Sequence, residues 1–99
     1  MDISINESDS VVSVQVTGDI EMMTIKEFKD KLLNLGKESE KDIELDMADV
    51  NYIDSSGVGV LISLLKLQKK KGKTVVITEV SDKVLNVLKL SSLSDVFNL

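Results

Sequence analysis

Ile3 and Ile5, then Val12, Val14 and Val16, alternate with polar residues at a period of two. That pattern belongs to strands with one buried face, and the β-branched run at 11–16 strengthens it. Glu7-Ser8-Asp9-Ser10 lies between the two stretches and reads as a turn, so residues 2–16 are predicted to form a hairpin that stops at Thr17-Gly18-Asp19. The period then changes. Ile25, Phe28, Leu32 and Leu35 recur at helical spacing, with Lys26, Lys29, Asp30 and Lys31 off that face, which predicts a helix over 24–35. Thr24-Ile25-Lys26-Glu27 fits a capping box, with Thr24 as N-cap, and Gly36 reads as the glycine that ends the helix.

After a charged loop at 37–41, Asp42-Ile43-Glu44-Leu45-Asp46-Met47 alternates cleanly and reads as a third strand. An acid-bearing loop at 48–54 follows. Ser55-Ser56-Gly57 opens a long apolar segment, in which Val58, Leu61, Ile62 and Leu65 define one helical face and Val60, Leu64 and Leu67 widen it. Lysines at 69–71 followed by Gly72 mark the end of that helix. Residues 74–78 form a short aliphatic strand, and Ser81 suits the cap of a helix carrying Val84, Leu85, Val87 and Leu88. Residues 90–99 are apolar and fit neither period. The order ββαβαβα implies an α/β fold: a mainly parallel sheet with an N-terminal antiparallel hairpin strand and crossover helices. The 99 residues show no repeat or linker and read as one domain, 1–99.

Composition narrows the chemistry. The chain is 42% hydrophobic, enough for a core, but the only aromatic residues are Phe28, Tyr52 and Phe97. It has no Cys and no His, which excludes thiol nucleophiles, a Ser-His-Asp triad and thiolate or imidazole metal sites. It also has no Arg, which excludes a bidentate guanidinium clamp. A net charge of −5 with few aromatics argues against nucleic acid. No apolar run approaches the ~20 residues of a membrane span, and Met1-Asp2-Ile3-Ser4 lacks the basic start of a signal peptide. The expectation is a cytoplasmic protein that binds neither membrane nor nucleic acid.

The informative stretch is Asp46 to Gly59: a strand end, an acidic loop with Asp49 and Asp54, two serines, and two glycines in the first turn of a helix. In an open α/β sheet the functional crevice lies beyond the carboxyl ends of the strands, and a helix N-terminus there favours phosphate. Asp54 or Ser55 can serve simply as an N-cap. Gly57 and Gly59, however, each cost up to ~1 kcal/mol of helix propensity and allow another backbone to come close. Asp46, Asp49 and Asp54 suggest a Mg²⁺ site and hence a phospho-aspartate receiver-like module, but the acid pair that a receiver needs after its first strand is absent, since Asp19 and Glu21 are not adjacent. Gly72-Lys73-Thr74 fails as a P-loop, because Leu67 stands where glycine is required and a strand follows. Lys66, Lys69, Lys70, Lys71 and Lys73 read as a solvated helix end. Met22 and Met23 cannot both face one core, so one of them is expected as an adaptable contact residue.

Asp54-Ser55-Ser56-Gly57-Val58-Gly59-Val60-Leu61, preceded by a strand and an acid-rich loop, resembles the signature of the STAS domain, in particular that of stand-alone bacterial anti-sigma factor antagonists. Thr17-Gly18-Asp19-Ile20-Glu21-Met22-Met23-Thr24 resembles the same family's loop before the first helix, and the strand and helix over 73–90 are similar as well. The resemblance implies a STAS fold and a partner-switching role in transcription regulation. The unmodified domain binds an anti-sigma factor that is also a serine kinase and so frees the sigma factor; phosphorylation of the first motif serine ends binding, and a serine phosphatase resets the switch. By position the acceptor is Ser55. Asp54, Ser56, Gly57, Val58 and Gly59, with Glu21, Met22, Met23 and Thr24 of the neighbouring loop, form the implied partner-binding surface. The chain departs from the family at Glu21, where Asp is usual. No catalytic residue, metal or cofactor is implied, and Ser55 has no His or Lys base at motif spacing, so an enzyme is not expected. The same motif also suits a STAS subunit of a transporter or stress-sensing assembly.

Overall fold

The computed structural model describes residues 1–97 and residue 99. Its elements follow the expected order: β1 (Asp2–Glu7), β2 (Val11–Thr17), α1 (Ile25–Glu38), β3 (Asp42–Asp49), α2 (Ser55–Lys70), β4 (Val75–Val80) and α3 (Asp82–Leu90). The four strands form one sheet in the order β1-β2-β3-β4, with β1 antiparallel to β2 and the other pairs parallel. Alternation along the strands decides the layers. Val12, Val14, Val16, Ile43, Leu45, Met47, Val75 and Ile77 all turn to one face and are buried, joined in one core by Phe28 and Leu32 of α1 and by Leu61 and Leu64 of α2. The opposite face carries Ser13, Gln15, Glu44 and Asp46 and is polar.

Four details differ from expectation, each for a tertiary reason. Thr24 occupies the N-cap position of α1 but makes no side-chain cap. Its hydroxyl instead donates to the Asp19 carbonyl at 2.7 Å and accepts the Glu21 N–H at 3.1 Å, while Glu27 reaches forward to Lys31. Gly36 does not end the helix, which runs on to Glu38. A Cβ there would lie 2.8 Å from Leu64 Cδ1, so this glycine is where α1 and α2 pack closely. The α2 segment is apolar on several sides and its pattern does not fix a face: Gly57, Val58, Val60, Leu61, Leu64 and Gln68 are buried, whereas Ile62 and Leu65 are only half-buried. The last strand begins at Val75, because the Thr74 N–H is taken by the Asp42 carboxylate at 2.9 Å.

Two side-chain connections close the end of the sheet where β3 and β4 begin. The Gln68 side-chain amide donates to the carbonyls of Lys41 (2.9 Å) and Thr74 (3.2 Å). The Lys71 ammonium donates to the carbonyls of Gly36 and Ser39 and so caps the end of α1, which corrects its reading as a merely solvated lysine. The unassigned tail forms turns after α3, and Phe97 is fully buried in the core.

Candidate functional site

β2 and β3 end side by side, and the loops leaving them stay paired. The Gly18 N–H donates to the Asp49 carbonyl (3.2 Å), the Ile20 N–H to the Tyr52 carbonyl (2.8 Å) and the Asp54 N–H to the Ile20 carbonyl (3.0 Å). These bonds frame an isolated parallel bridge between Ile20 and Ile53, whose side chains are both buried. Farther along the same edge, the Ser81 hydroxyl donates to the Val50 carbonyl at 2.5 Å. The pairing brings the Glu21–Thr24 loop, about 30 positions away in sequence, beside the N-terminus of α2.

Asp54 is the N-cap of α2. Its Oδ1 accepts the Ser56 N–H (2.9 Å), the Gly57 N–H (3.3 Å) and the Ser56 hydroxyl (2.5 Å). The Ser56 hydroxyl holds the Asp54 carboxyl below the ordinary carboxylate value against the opposing effect of burial, with further help from the backbone amides of Gly57, Ser56 and Met22. A lowered pKa in the fold means that the carboxylate stabilises fully above the unfolded value of about 3.9 and that this contribution fades as pH falls through the lowered value. Asp54→Ala is therefore expected to lose about 1 kcal/mol at neutral pH, and the gap to wild type should narrow as the pH falls below the unfolded value and through the lowered one. Urea denaturation of both proteins at several pH values measures it; a gap independent of pH contradicts the charged cap.

With Asp54 capping and the Ser56 hydroxyl bound to it, Ser55 stands apart. It is the first residue of α2, it is exposed, and among the described residues its hydroxyl has no hydrogen-bond partner. A free hydroxyl at the positive end of a 16-residue helix can be reached by a phosphoryl donor, and the first-turn amides favour the resulting anion while the Asp54 carboxylate opposes it.

The other expected residues divide. Glu21 is half-buried and its Oε1 accepts the Met23 N–H at 3.1 Å, which shapes the loop. Met22 and Met23 are both outward, 80% and 87% exposed, so neither serves the core. Gly57 and Val58 both face inward. A Cβ on Gly57 would lie 2.6 Å from Ile20 Cγ2 and from Ile53 Cγ1, so that glycine makes room for the loop bridge. Gly59 is the open one. It is exposed, a Cβ there would meet nothing within 4 Å, and it lies in a shallow groove of about 390 Å³ with Ile25, Lys29, Leu33, Ser56 and Ser63. Tyr52, 53% exposed on the same edge, escaped the sequence reading. Its signal was modest: the only tyrosine of the chain, two residues before Asp54. Asp46, Asp49 and Asp54 do not converge, since among the described residues no three acids form a metal-binding group; Asp46 accepts the Ala48 N–H instead.

A family profile described as "Mlab, STAS domain" matches residues 3–99. The anti-sigma-B factor antagonist of Bacillus subtilis (strain 168) is 26% identical over 99 residues, which cover 100% of this chain and 88% of that protein. Among solved structures, a candidate anti-sigma factor antagonist from Thermotoga maritima superposes with a TM-score of 0.84 at 27% identity, over 95% of this chain and 81% of that one. The antagonist SpoIIAA in its unphosphorylated form gives 0.82 at 16% identity, over 95% and 84%.

Proposed function

The chain belongs to the STAS domain family, and from that membership we propose that it is an anti-sigma factor antagonist switched by phosphorylation of Ser55. In the unmodified state it binds an anti-sigma factor with serine kinase activity and releases the sigma factor; a serine phosphatase restores the binding form. It works in the cytoplasm as a binding module, not an enzyme, and needs no cofactor. The partner meets the end of the sheet where Glu21, Met22, Met23 and Thr24 adjoin Asp54, Ser55, Ser56 and Gly59, with Gly57 and Val58 supporting that surface from inside. The similarity to the anti-sigma-B factor antagonist of Bacillus subtilis, which spans all of this chain and 88% of that protein, supports this reading.

The observation that carries it is the division of labour at the start of α2. Asp54 performs the capping and the Ser56 hydroxyl is held by Asp54, while the exposed Ser55 hydroxyl has no hydrogen-bond partner among the described residues. Phosphorylation adds roughly −1.5 to −2 charge. A helix N-terminus tolerates that charge, but a docking face must desolvate it, so the fold survives while the interface fails. The test is incubation with a kinase-type anti-sigma factor and ATP, followed by phosphopeptide mass spectrometry. A single phosphate on Ser55 is expected; a label on Ser56 overturns the assignment.

A further inference from the structure

Away from the Ser55 end, β1 leaves one side of the sheet unpaired. The hairpin register settles which backbone groups face outward. Ser8 N–H donates to the Val11 carbonyl at 2.9 Å, so the hydrogen-bonded pairs with β2 are the even residues of β1, and Ile3, Ile5 and Glu7 direct their N–H and C=O groups to the free edge. Free edges are commonly protected by a lysine, a proline or a bulge within the strand. Asp2-Ile3-Ser4-Ile5-Asn6-Glu7 has none of these and carries charge only at its two ends, Asp2 and Glu7, and its pairing with β2 shows no register shift. The side chains of Ile3 and Ile5 line a groove of about 360 Å³ against Lys31, Asn34, Leu35 and Glu38 of α1, and Ile5 is 44% exposed on the core face of the sheet.

We propose that this edge is a self-association surface, on which β1 pairs antiparallel with β1 of a second copy to make one continuous sheet. Charge selects that occupant. α1 runs in the same direction as β1, so a two-fold axis at the edge also sets the two α1 helices antiparallel. Lys31 and Glu38 flank Asn34 on one helical stripe, and an axis at Asn34 brings Lys31 opposite Glu38 of the second copy and Glu38 opposite its Lys31. Seven residues apart, these two cannot pair within one helix, where Lys31 reaches Glu27. The strand agrees with the same axis. Pairing about Ser4 sets Ile3 opposite Ile5 of the second copy, keeps all four isoleucines on the core face, and places Asp2 opposite Asn6. A shift by one residue would oppose Asp2 to Glu7 and turn the isoleucines of the two copies to opposite faces.

Sedimentation at low salt over a wide concentration range tests it. The mass is expected to rise from 10.9 kDa towards twice that value. Ile5→Lys, at an exposed position whose loss leaves the core intact, should abolish the rise. Lys31→Glu and Glu38→Lys should each weaken the dimer about three- to ten-fold, and the double swap should restore it, because each copy then again presents opposite charges across the axis. A protein monomeric at every concentration, a dimer indifferent to Ile5→Lys, or a double swap as weak as its single parents overturns the proposal.

Discussion

Gly57→Ala is expected to lower the stability of the fold by roughly 1–2 kcal/mol, although alanine is the better helix former. The methyl would sit 2.6 Å from Ile20 Cγ2 and from Ile53 Cγ1, closer than real Cβ contacts come. Both neighbours are β-branched with stiff side chains, both are buried, and both are tied by backbone bonds on either side of the bridge. Overpacking of this kind costs about 1–3 kcal/mol, and the gain in helix propensity returns at most ~1. Urea denaturation reads it as a lower midpoint with an unchanged slope. Gly59→Ala is the control. Its added methyl meets nothing within 4 Å, so stability should hold or rise slightly, and any loss of partner binding there reports contact and not damage. If Gly57→Ala is as stable as wild type, the loop bridge is softer than its geometry indicates.

That pair of glycines shows what a sequence conceals. The motif from Asp54 to Gly59 is legible because its residue types are unusual at a helix start, and its place after a strand puts it beyond the carboxyl end of that strand, where open α/β sheets carry their crevices. The strands are legible because period-two alternation with one buried face has few alternative explanations. Which glycine is internal and which is open depends on Ile20, 37 residues upstream of Gly57, and no local pattern reports that contact. Gly36 misleads in the same way: a glycine near a helix end suggests termination, yet here it accommodates Leu64 of another helix. Thr24 has the right neighbours for a capping box, but the loop before the helix offers its hydroxyl the Asp19 carbonyl instead. The buried face of α2 is blurred in the sequence because that helix meets both the sheet and α1, so apolar residues surround much of its circumference. Phe97 is illegible for a different reason. A lone aromatic after a helix carries no period, and only the three-dimensional gap it fills identifies it as core.

Ser55→Asp is expected to weaken binding of a kinase-type anti-sigma factor at least ten-fold, about 1.4 kcal/mol or more, while the thermal midpoint moves by less than about 4 °C. The two effects separate because the residue has two unrelated environments. Towards the protein, it lies at the positive end of α2, where an added carboxylate gains about 0.3–1 kcal/mol and the neighbouring Asp54 carboxylate takes part of that back. Towards the partner, it lies on an exposed edge flanked by Met22, Met23 and Tyr52, the apolar side chains best suited to be dehydrated on docking. An anion among them has to surrender its hydration on docking, and the chain has no Arg to pair with it. Ser55→Ala completes the argument. Because Asp54 is the cap, losing the Ser55 hydroxyl should cost less than about 0.5 kcal/mol of stability, and the protein should bind as wild type yet remain bound in the presence of ATP. Partner affinity and thermal midpoint measured on the same preparations decide between the outcomes. An Asp variant that unfolds makes Ser55 part of the scaffold, and one that binds at full strength removes the partner from this end of the sheet.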